Sequence, residues 1–252
     1  MTAASIGFIG LGKMGAVMAP HLAAGGHHVT GYDISPPAVM PAGVELAADL
    51  AALAGCGTII TMLPDGDVVS AVIGALLAAG CDAMVIDMSS SHPDISRAMA
   101  TDLAARGQMF VDAPVSGGVG GAVAGTLTFM AGGAPPAFAL AEPLFGIMGQ
   151  KAVHCGDSGA GQSAKICNNM ILGATMIVTC EAFALADRLG LDRQKMFDVV
   201  STSSGYSWTM NAYCPAPGVG PQSPSDNDYM PGFAAELMLK DLRLSQQAAE
   251  SV

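Results

Sequence analysis

Short apolar runs rich in β-branched residues alternate with alanine-rich helical patterns through the first half of the chain, and this alternation restricts the fold most. Each run is continuously apolar, which is typical of parallel strands covered on both faces. A strand–helix–strand order implies right-handed crossovers, so we predict a doubly wound α/β sheet. The predicted strands are Ile6–Ile9, Val29–Tyr32, Thr58–Met62, Met84–Asp87 and Met109–Asp112, with helices over residues 14–25, 66–79 and 93–106.

The second half of the chain has a different pattern. After two more short apolar runs, Thr126–Ala131 and Val153–Cys155, a long proline-free helical pattern ends before Gly190, a residue suited to a helix C-cap. We therefore predict an α/β domain over residues 1–162 and an all-α domain over residues 163–252. The predicted helices of the second domain are Ser163–Arg188, Leu191–Val200 and Ala234–Glu250, with a loop rich in Gly, Pro, Ser and Asn over residues 203–232.

The composition excludes several classes of partner. The net charge is −11 and the 10 Lys and Arg residues are scattered, which argues against nucleic acid and anionic membranes. Six cysteines without a C-x-x-C pair or zinc-type spacing predict reduced thiols, no metal site and a cytoplasmic location. The first strand pattern begins too early to leave room for a signal peptide. The apolar residues 170–180 end at Glu181, so we expect no segment long enough to span a bilayer.

A glycine-rich turn, Gly10-Leu11-Gly12-Lys13-Met14-Gly15, follows the first predicted strand and opens the first helix. Its glycines permit a tight turn and let a pyrophosphate approach the backbone and the helix N-terminus. Asp33 ends the second strand, where an acid accepts both ribose hydroxyls of NAD and repels the 2′-phosphate of NADP. We therefore predict a Rossmann-type NAD site. FAD would use the same turn, but no second flavin motif is evident.

A single lysine, Lys165, lies near the start of the long apolar helical pattern, and Asn169 follows one turn later. Residues four apart share one helix face, so both side chains can point into one cleft. An ammonium group in apolar surroundings is costly unless it is exposed or used. From this segment alone a surface lysine with a buried stem and a catalytic lysine remain equal alternatives.

The fifth predicted strand leads into a second glycine-rich turn, Ser116-Gly117-Gly118. The backbone N–H groups of the two glycines, together with the Ser116 hydroxyl, can form a concave site for a carboxylate. A flexible loop before Gly125-Thr126-Leu127 is the alternative. The spacing of these residues does not decide between the two.

Several motifs in the same order along the chain resemble those of the β-hydroxyacid dehydrogenase family. The resemblance implies a Rossmann-type domain followed by an all-α domain with a long helix between them. It also implies more helices beyond residue 252, so we expect the all-α domain to be truncated at its C-terminus. The matching segments are Phe8–Gly15 with Met18-Ala19, Thr61–Pro64, Asp112–Gly118, Gly125-Thr126-Leu127, Gly161-Gln162 with Lys165 and Asn169, and Lys240-Asp241-Leu242.

The family resemblance assigns roles to individual residues. It implies that Lys165 is catalytic, that Asn169 helps to hold the substrate, and that Ser116-Gly117-Gly118 binds the substrate carboxylate. In this pattern neutral Lys165 removes a hydroxyl proton while hydride leaves the same carbon for nicotinamide. A free lysine titrates near ~10.4, so the mechanism requires a lowered pKa.

The resemblance also assigns the cofactor end of the site. Met62-Leu63-Pro64 and Ser90 line the ribose and nicotinamide, and Lys240 closes the site from the second domain. Position 90 is more often threonine in the family, and Met88 replaces a more usual small polar residue. A methyl group on the substrate would need an apolar wall, which Trp208, Tyr213 and Phe233 could supply, and we also place Phe233 at the cofactor. Each of these lone aromatic residues is more often part of a core. Glu236 and Lys240 could instead form a simple helical ion pair.

The loop over residues 203–218 resembles that of family members which oxidise 3-hydroxyisobutyrate to methylmalonate semialdehyde in valine breakdown, and it implies this reaction with NAD. Related reductases of tartronate or succinic semialdehyde are one alternative. A dinucleotide-binding scaffold without catalysis is another, but it would have no need to keep Lys165. Apolar residues along the long helix, such as Met170, Ile171 and Ile177, further predict a homodimer or homotetramer.

Overall fold

The computed structural model of the protein describes residues 3–230 and 232–252. The chain divides into two compact units. The first unit contains the residues up to Lys165 together with Gln247–Val252, and the second contains Ile166–Gln246. The domain boundary expected after residue 162 remains a prediction, since one continuous helix runs through this position.

The first unit is built on a nine-stranded sheet in the order β3-β2-β1-β4-β5-β6-β8-β7, with β9 beside β8. Strands β1 to β6 are mutually parallel, as the continuous apolar runs predict, whereas β8 is antiparallel to β6 and β7. The strands are β1 (Ser5–Ile9), β2 (His28–Tyr32), β3 (Val44–Leu46), β4 (Thr58–Thr61), β5 (Met84–Asp87), β6 (Phe110–Asp112), β7 (Val115–Ser116), β8 (Leu127–Gly132) and β9 (Gly149–Gly156).

Helices cover both faces of this sheet. Neighbouring residues of β4 and β5 point to opposite faces: Ile60 and Ile86 join one apolar cluster, and Ile59 and Val85 join the other. Strands with two buried faces read as unbroken apolar runs, which is why these strands were predictable. The helices of this unit are α1 (Gly15–Ala24), α2 (Gly66–Ala78), α3 (Pro93–Ala104), α4 (Gly118–Ala124) and α5 (Pro135–Met148), followed by the start of α6 (Ala160–Arg188).

Within residues 3–230 and 232–252, the sequence patterns missed strands β3 and β7, helices α4 and α5, a short helix α8 (Trp208–Asn211), and two 3-10 turns at Ala51–Leu53 and Pro224–Asp226. Helix α5 carries Pro143 in its interior, and α4 contains three glycines, so local propensity argues against both. Tertiary packing compensates in α5, where Phe145 stacks on Phe129 of β8 at 4.7 Å between ring centroids. These helices depend on burial rather than on helix propensity.

The second unit contains the rest of α6 with α7 (Arg193–Val200), α8 and α9 (Ala235–Glu250). Helix α7 begins two residues later than predicted because the Asp192 side chain accepts the Lys195 N–H and caps the helix. Helix α9 packs closely on α6, where a side chain at Gly173 would lie 3.0 Å from Leu242. Residues Phe183, Met196 and Met210 belong to the small core of this unit.

Helix α6 corrects the expectation that no apolar segment could span a bilayer. It is 29 residues long, and its most apolar 18-residue window has a mean hydropathy of 1.6, so by length and composition it could cross a membrane. Only 28% of that window is buried in the protein. The expectation was wrong because it counted only residues 170–180 as apolar, whereas an 18-residue window of this helix is apolar on average despite its polar residues.

Candidate active site

The glycine turn between β1 and α1 has the geometry of a dinucleotide site. Gly10 has φ +97°, and a Cβ there would lie 2.2 Å from the Met62 carbonyl oxygen. A Cβ at Gly15 would lie 1.8 Å from the Gly10 carbonyl oxygen, so only glycine fits at either position. A Cβ at Gly12 would meet nothing within 4 Å, which leaves open space beside the backbone. The turn therefore fits a pyrophosphate that approaches at Gly12.

Asp33 lies beside this turn. Its carboxylate accepts the Leu11 N–H at 2.7 Å and the Ser35 N–H at 2.8 Å. A carboxylate offers about four acceptor positions, so two remain for ribose hydroxyls. Lys13 is exposed and Met14 is partly buried in the same turn. The structure thus brings together every residue predicted for the pyrophosphate and the first ribose.

The ends of β4 and β5 hold the residues predicted to face nicotinamide. Met62 and Leu63 are partly buried and Pro64 is exposed. The Leu63 N–H donates to Ser89 Oγ at 2.8 Å, which ties the segment after β4 to the segment after β5, next to the partly buried Ser90. The carboxyl ends of neighbouring parallel strands form the edge where ligands bind in this type of sheet.

Lys165 lies in the first turns of α6 and is partly buried. Its Nζ donates to the Val115 carbonyl oxygen at 2.7 Å. Val115 comes directly before Ser116, so the lysine reaches the turn that is predicted to bind a carboxylate. The alternative of a lysine that extends into solvent does not describe this side chain.

The Ser116-Gly117-Gly118 turn is ordered by secondary structure on both sides. Ser116 ends β7, and Gly118 begins α4. Gly117 has φ +135° and Gly118 has φ +61°, values that favour glycine. The alternative of a flexible loop before Gly125 is wrong, because α4 occupies residues 118–124.

The second unit holds the remaining predicted residues. Asn169 is buried on α6, and its amide donates to Asp241 Oδ2 at 2.5 Å. Lys240 Nζ lies 3.4 Å from Asp241 Oδ1. Asp241 is itself only 4% exposed. It lies in a segment that matches the family, but the sequence predicts no role for it. The position of Asp241 directly after Lys240 in an amphipathic helix could have indicated that Asp241 is buried beside the predicted site.

Two aromatic residues of the second unit are exposed to different extents. Trp208 is 54% exposed and stacks on Tyr213 at 5.0 Å between ring centroids, while Phe233 is 37% exposed. The expectation that such residues are more often core does not hold for Trp208. Among residues 3–230 and 232–252, no cluster of three or more His, Cys, Asp or Glu side chains has the arrangement of a metal site.

Asp112 is a further buried acid that the sequence reading left without a role. It lies at the end of β6, and its carboxylate accepts the N–H groups of Gly159 at 2.7 Å and Gln162 at 2.9 Å. Burial raises the pKa of Asp112 to about 7, against the lowering effect of these hydrogen bonds, and nearby Asp87 adds to the rise. The sequence did place Asp87 and Asp112 at the ends of two successive predicted strands, and this pattern could have indicated that the two acids lie close together.

Comparisons with known proteins agree with this architecture. A family model described as the NAD binding domain of 6-phosphogluconate dehydrogenase matches residues 5–156. A second model, described as "NAD-binding of NADP-dependent 3-hydroxyisobutyrate dehydrogenase", matches residues 159–252. Together they cover both units of the chain.

Individual relatives are similar over nearly the full chain. The 3-hydroxyisobutyrate dehydrogenase of Pseudomonas aeruginosa is 44% identical over 256 residues, with 98% of this chain and 86% of the relative covered. A probable 3-hydroxyisobutyrate dehydrogenase of Mycobacterium tuberculosis is 43% identical over 249 residues, with 97% and 85% covered. The solved structure of Mycobacterium tuberculosis 3-hydroxyisobutyrate dehydrogenase with L-serine has a TM-score of 0.92 at 42% identity, covering 99% of this chain and 88% of that one.

The Rossmann-type sheet with its glycine turn, followed by a helical unit, defines a nicotinamide dinucleotide-binding oxidoreductase. This confirms the predicted fold class. The extent of similarity identifies the family: the chain belongs to the 3-hydroxyisobutyrate dehydrogenases, within the β-hydroxyacid dehydrogenases that its motifs resemble.

Proposed function

We propose that this protein oxidises 3-hydroxyisobutyrate to methylmalonate semialdehyde with NAD as hydride acceptor, a reaction of valine breakdown. The observation that carries the proposal is the 2.7 Å hydrogen bond from Lys165 Nζ to the Val115 carbonyl. It holds an amine at the Ser116-Gly117-Gly118 turn, in the same unit as the dinucleotide turn. The family membership supports the same substrate class.

In this proposal Lys165 is the general base. Oxidation of a primary alcohol requires removal of the hydroxyl proton as hydride leaves the carbon, and bound NAD supplies the hydride acceptor. Neutral Lys165 accepts that proton at Nζ, and in the reverse direction its ammonium returns it. The hydrogen bond to Val115 fixes the direction from which Nζ approaches, which favours one orientation of the hydroxyl.

The Ser116-Gly117-Gly118 turn would hold the substrate carboxylate. The positive φ values of the two glycines allow successive N–H groups to point to one side, the arrangement that binds anions. L-serine, which accompanies the solved Mycobacterium tuberculosis relative, is itself a β-hydroxy acid with a carboxylate. It supports a substrate of this size and charge.

The residues of the second unit are proposed to complete substrate and cofactor binding. Asn169 would orient the hydroxyl group, Trp208 would contact the substrate methyl group, and Phe233 and Lys240 would contact the cofactor. An exposed aromatic face such as that of Trp208 offers apolar area that the protein's own core does not use. The roles of Asn169 and Lys240 rest on the family pattern, and those of the aromatic residues on the apolar contact that a substrate methyl group needs.

NAD is proposed as the cofactor in preference to NADP. The Asp33 carboxylate lies against the Leu11 N–H, where its charge would repel a 2′-phosphate. The family description that names an NADP-dependent enzyme makes this a point to test. We expect kcat/KM with NAD to exceed that with NADP by about 100-fold, since like charges at one site cost several kcal/mol. Equal kcat/KM values would overturn the cofactor assignment.

The quaternary structure and location are proposed on other grounds. Met170, Ile171, Ile177 and Val178 on α6 are each more than half exposed, and an apolar helix face of this kind is typical of an oligomer contact. We propose that the protein is a homodimer or homotetramer. We also propose that it is cytoplasmic and that its domain boundary lies between residues 162 and 163. Light scattering of the purified protein measures the oligomeric state, and a monomer would contradict it.

The reaction is tested by following NADH absorbance with a panel of β-hydroxy acids. We expect turnover of 3-hydroxyisobutyrate, with Lys165→Ala lowering kcat by at least about 1000-fold while NADH affinity stays within threefold, because a general base acts on chemistry rather than on dinucleotide binding. Full activity of Lys165→Ala would sink the mechanism. Good turnover of glycerate without turnover of 3-hydroxyisobutyrate would sink the substrate assignment.

A further inference from the structure

A row of buried polar side chains crosses the sheet at the carboxyl ends of three parallel strands. Thr61, Asp87 and Asp112 end β4, β5 and β6, and they are successive partners in the strand register. Each is at most 1% exposed. The Thr61 hydroxyl donates to Asp87 Oδ1 at 2.8 Å, which links two of the three strands by side chains. Buried polar groups in a parallel sheet are costly unless they are hydrogen-bonded. The hydrogen bonds of this row therefore offset the cost of burying its side chains.

Asp112 connects this row to the start of α6. It accepts the N–H groups of Gly159 and Gln162, which belong to the turn that opens the helix. The helix start lies directly on the strands, since a Cβ at Gly161 would lie 2.3 Å from the Met130 carbonyl oxygen and 2.6 Å from that of Asp112. The start of the helix that carries Lys165 is therefore held by backbone contact against β6 and β8, near the carboxyl end of β6.

The Gln162 side chain forms the second connection. Its Nε2 donates to the Ser89 carbonyl oxygen at 2.7 Å, and its Oε1 accepts the Ser91 N–H at 3.0 Å. These two groups flank Ser90, the residue proposed to face the nicotinamide end of the cofactor. Gln162 is completely buried, so water does not compete for either bond. One amide thus holds the backbone on both sides of Ser90.

We propose that Gln162 is a positioning residue that fixes the distance between Lys165 and the segment at Ser90. This inference rests on the proposed role of Lys165. Gln162 precedes Lys165 by three residues on α6, so the two move together as one rigid turn. The same amide is bonded to the cofactor-side backbone. Loss of its bonds would let the helix start shift relative to Ser90 without removing any group that touches substrate.

The expected consequence is kinetic. A displacement of about 1 Å between reacting groups can lower a rate about 100-fold, although binding of each partner is preserved. We therefore expect Gln162→Met, which keeps the length of the side chain and removes both hydrogen bonds, to lower kcat at least about tenfold. The dissociation constant for NADH should change by less than about threefold, because the glycine turn and Asp33 lie elsewhere on the sheet.

A matched control is available at the opposite end of the same strands. Gln108 Nε2 donates to the carbonyl oxygens of Cys81 and Ala83 at 3.3 and 3.0 Å, before the start of β5. Gln108→Met removes these side-chain hydrogen bonds in the same unit, away from the proposed site. We expect it to lower the thermal transition temperature but to leave kcat within about twofold of the wild-type value.

A second readout does not depend on turnover. An amine reagent such as trinitrobenzenesulfonate labels lysines, and peptide mass spectrometry measures the labelling rate at Lys165 in the protein without cofactor. We expect Gln162→Met to raise this rate at least about threefold, because Nζ is less firmly held at the Val115 carbonyl, and Gln108→Met to leave it unchanged. Gln162→Glu keeps the acceptor for the Ser91 N–H, and burial favours its protonated form, whose O–H can donate to the Ser89 carbonyl oxygen. It should give intermediate kcat and labelling, and it replaces Gln162→Met if that variant does not fold.

Each outcome decides the inference. A tenfold fall in kcat with faster labelling in the Gln162 variant, and neither change in the Gln108 variant, supports it. Wild-type kcat and labelling in the Gln162 variant, or equal losses in both variants, overturn it and leave Gln162 as a structural residue. Full activity of Lys165→Ala would instead overturn the proposed function, whatever the Gln162 variants show.

Discussion

Two aspartates, one in each unit, make the same kind of hydrogen bonds and have opposite pKa shifts. Asp112 of the first unit accepts two backbone N–H groups, from Gly159 and Gln162, and Asp226 of the second accepts two, from Gly218 and Ser223. Burial raises the pKa of Asp112 to about 7, whereas the hydrogen bonds of exposed Asp226 lower its pKa. Desolvation therefore decides the sign where the hydrogen bonds are matched.

The comparison extends beyond these two side chains. At the sheet edge of the first unit, polar residues are buried and bonded on several sides, so each is fixed by its neighbours. In the loop of the second unit, carboxylates and aromatic residues are exposed and are held by local turns. Substitutions at the carboxyl ends of the parallel strands should therefore affect stability strongly, and those of exposed residues in this loop should affect it weakly.

The largest expected effect is that of Gly161→Ala at the sheet edge. The added Cβ would lie within 3 Å of two backbone carbonyl oxygens, which cannot move without displacing β6 and β8. We expect the free energy of unfolding to fall by about 3 kcal/mol or more, at the upper end of overpacking costs. Urea unfolding measures it. A loss below about 1 kcal/mol would show that the helix start is not tightly seated.

The pH dependence of stability follows next in size. Below the unfolded pKa of 3.8 Asp112 is protonated in both states, while between that value and about 7 only the folded state keeps the proton. The free energy of unfolding should therefore fall as pH rises, by about 2 to 3 kcal/mol between pH 5 and 8 from this group. Urea unfolding of the wild type and of Asp112→Asn measures the difference, and the variant should lose this slope.

Asp226 supplies the opposite sign in the second unit. Its lowered pKa contributes stability that is present above pH 3.8 and is lost as pH falls below it. The same urea series extended to acid pH separates the two groups. Asp226→Asn should alter the pH dependence of the free energy of unfolding only at acid pH. A change near pH 6 in Asp226→Asn would contradict the comparison.

Gly190→Ala is the second-unit counterpart of Gly161→Ala and should have a smaller effect. Gly190 follows α6 with φ +74°, but a Cβ there would meet nothing within 4 Å. Only the cost of a left-handed conformation remains, about 1 kcal/mol. Thermal unfolding compares the two alanine variants. An equal loss in both would show that the carbonyl oxygens around Gly161 yield to the added Cβ at little cost.

The smallest stability effect is expected for Trp208→Ala. Because Trp208 is more than half exposed, its stacking on Tyr213 should contribute only about 0.5 to 1 kcal/mol. We expect KM for 3-hydroxyisobutyrate to rise while the unfolding temperature hardly changes. An unchanged KM together with a large loss of stability would show that Trp208 belongs to the core.

Particular elements show how far the sequence could predict the fold. Strands β1, β4, β5 and β6 were predicted to within a residue, because burial of both faces leaves an unbroken apolar signature. Helices α4 and α5 were not predicted, since glycines and prolines hide their helical pattern and only packing stabilises them. The helix α6 itself was predicted over Ser163–Arg188, but its apolar length was underestimated because only residues 170–180 were counted as apolar.

The sequence alone determined the dinucleotide turn and the family, because these depend on local backbone geometry and on residue types at fixed spacing. The contact of Lys165 with Val115, 50 residues away, was decided by the tertiary structure. Tertiary structure decided which groups surround them. It brought Asp87, Asp112 and Gln162 together from distant parts of the chain. Burial, which no local pattern specifies, raised the pKa of Asp112 to about 7. Tertiary packing also placed the Gln162 amide where it bonds to the backbone on both sides of Ser90.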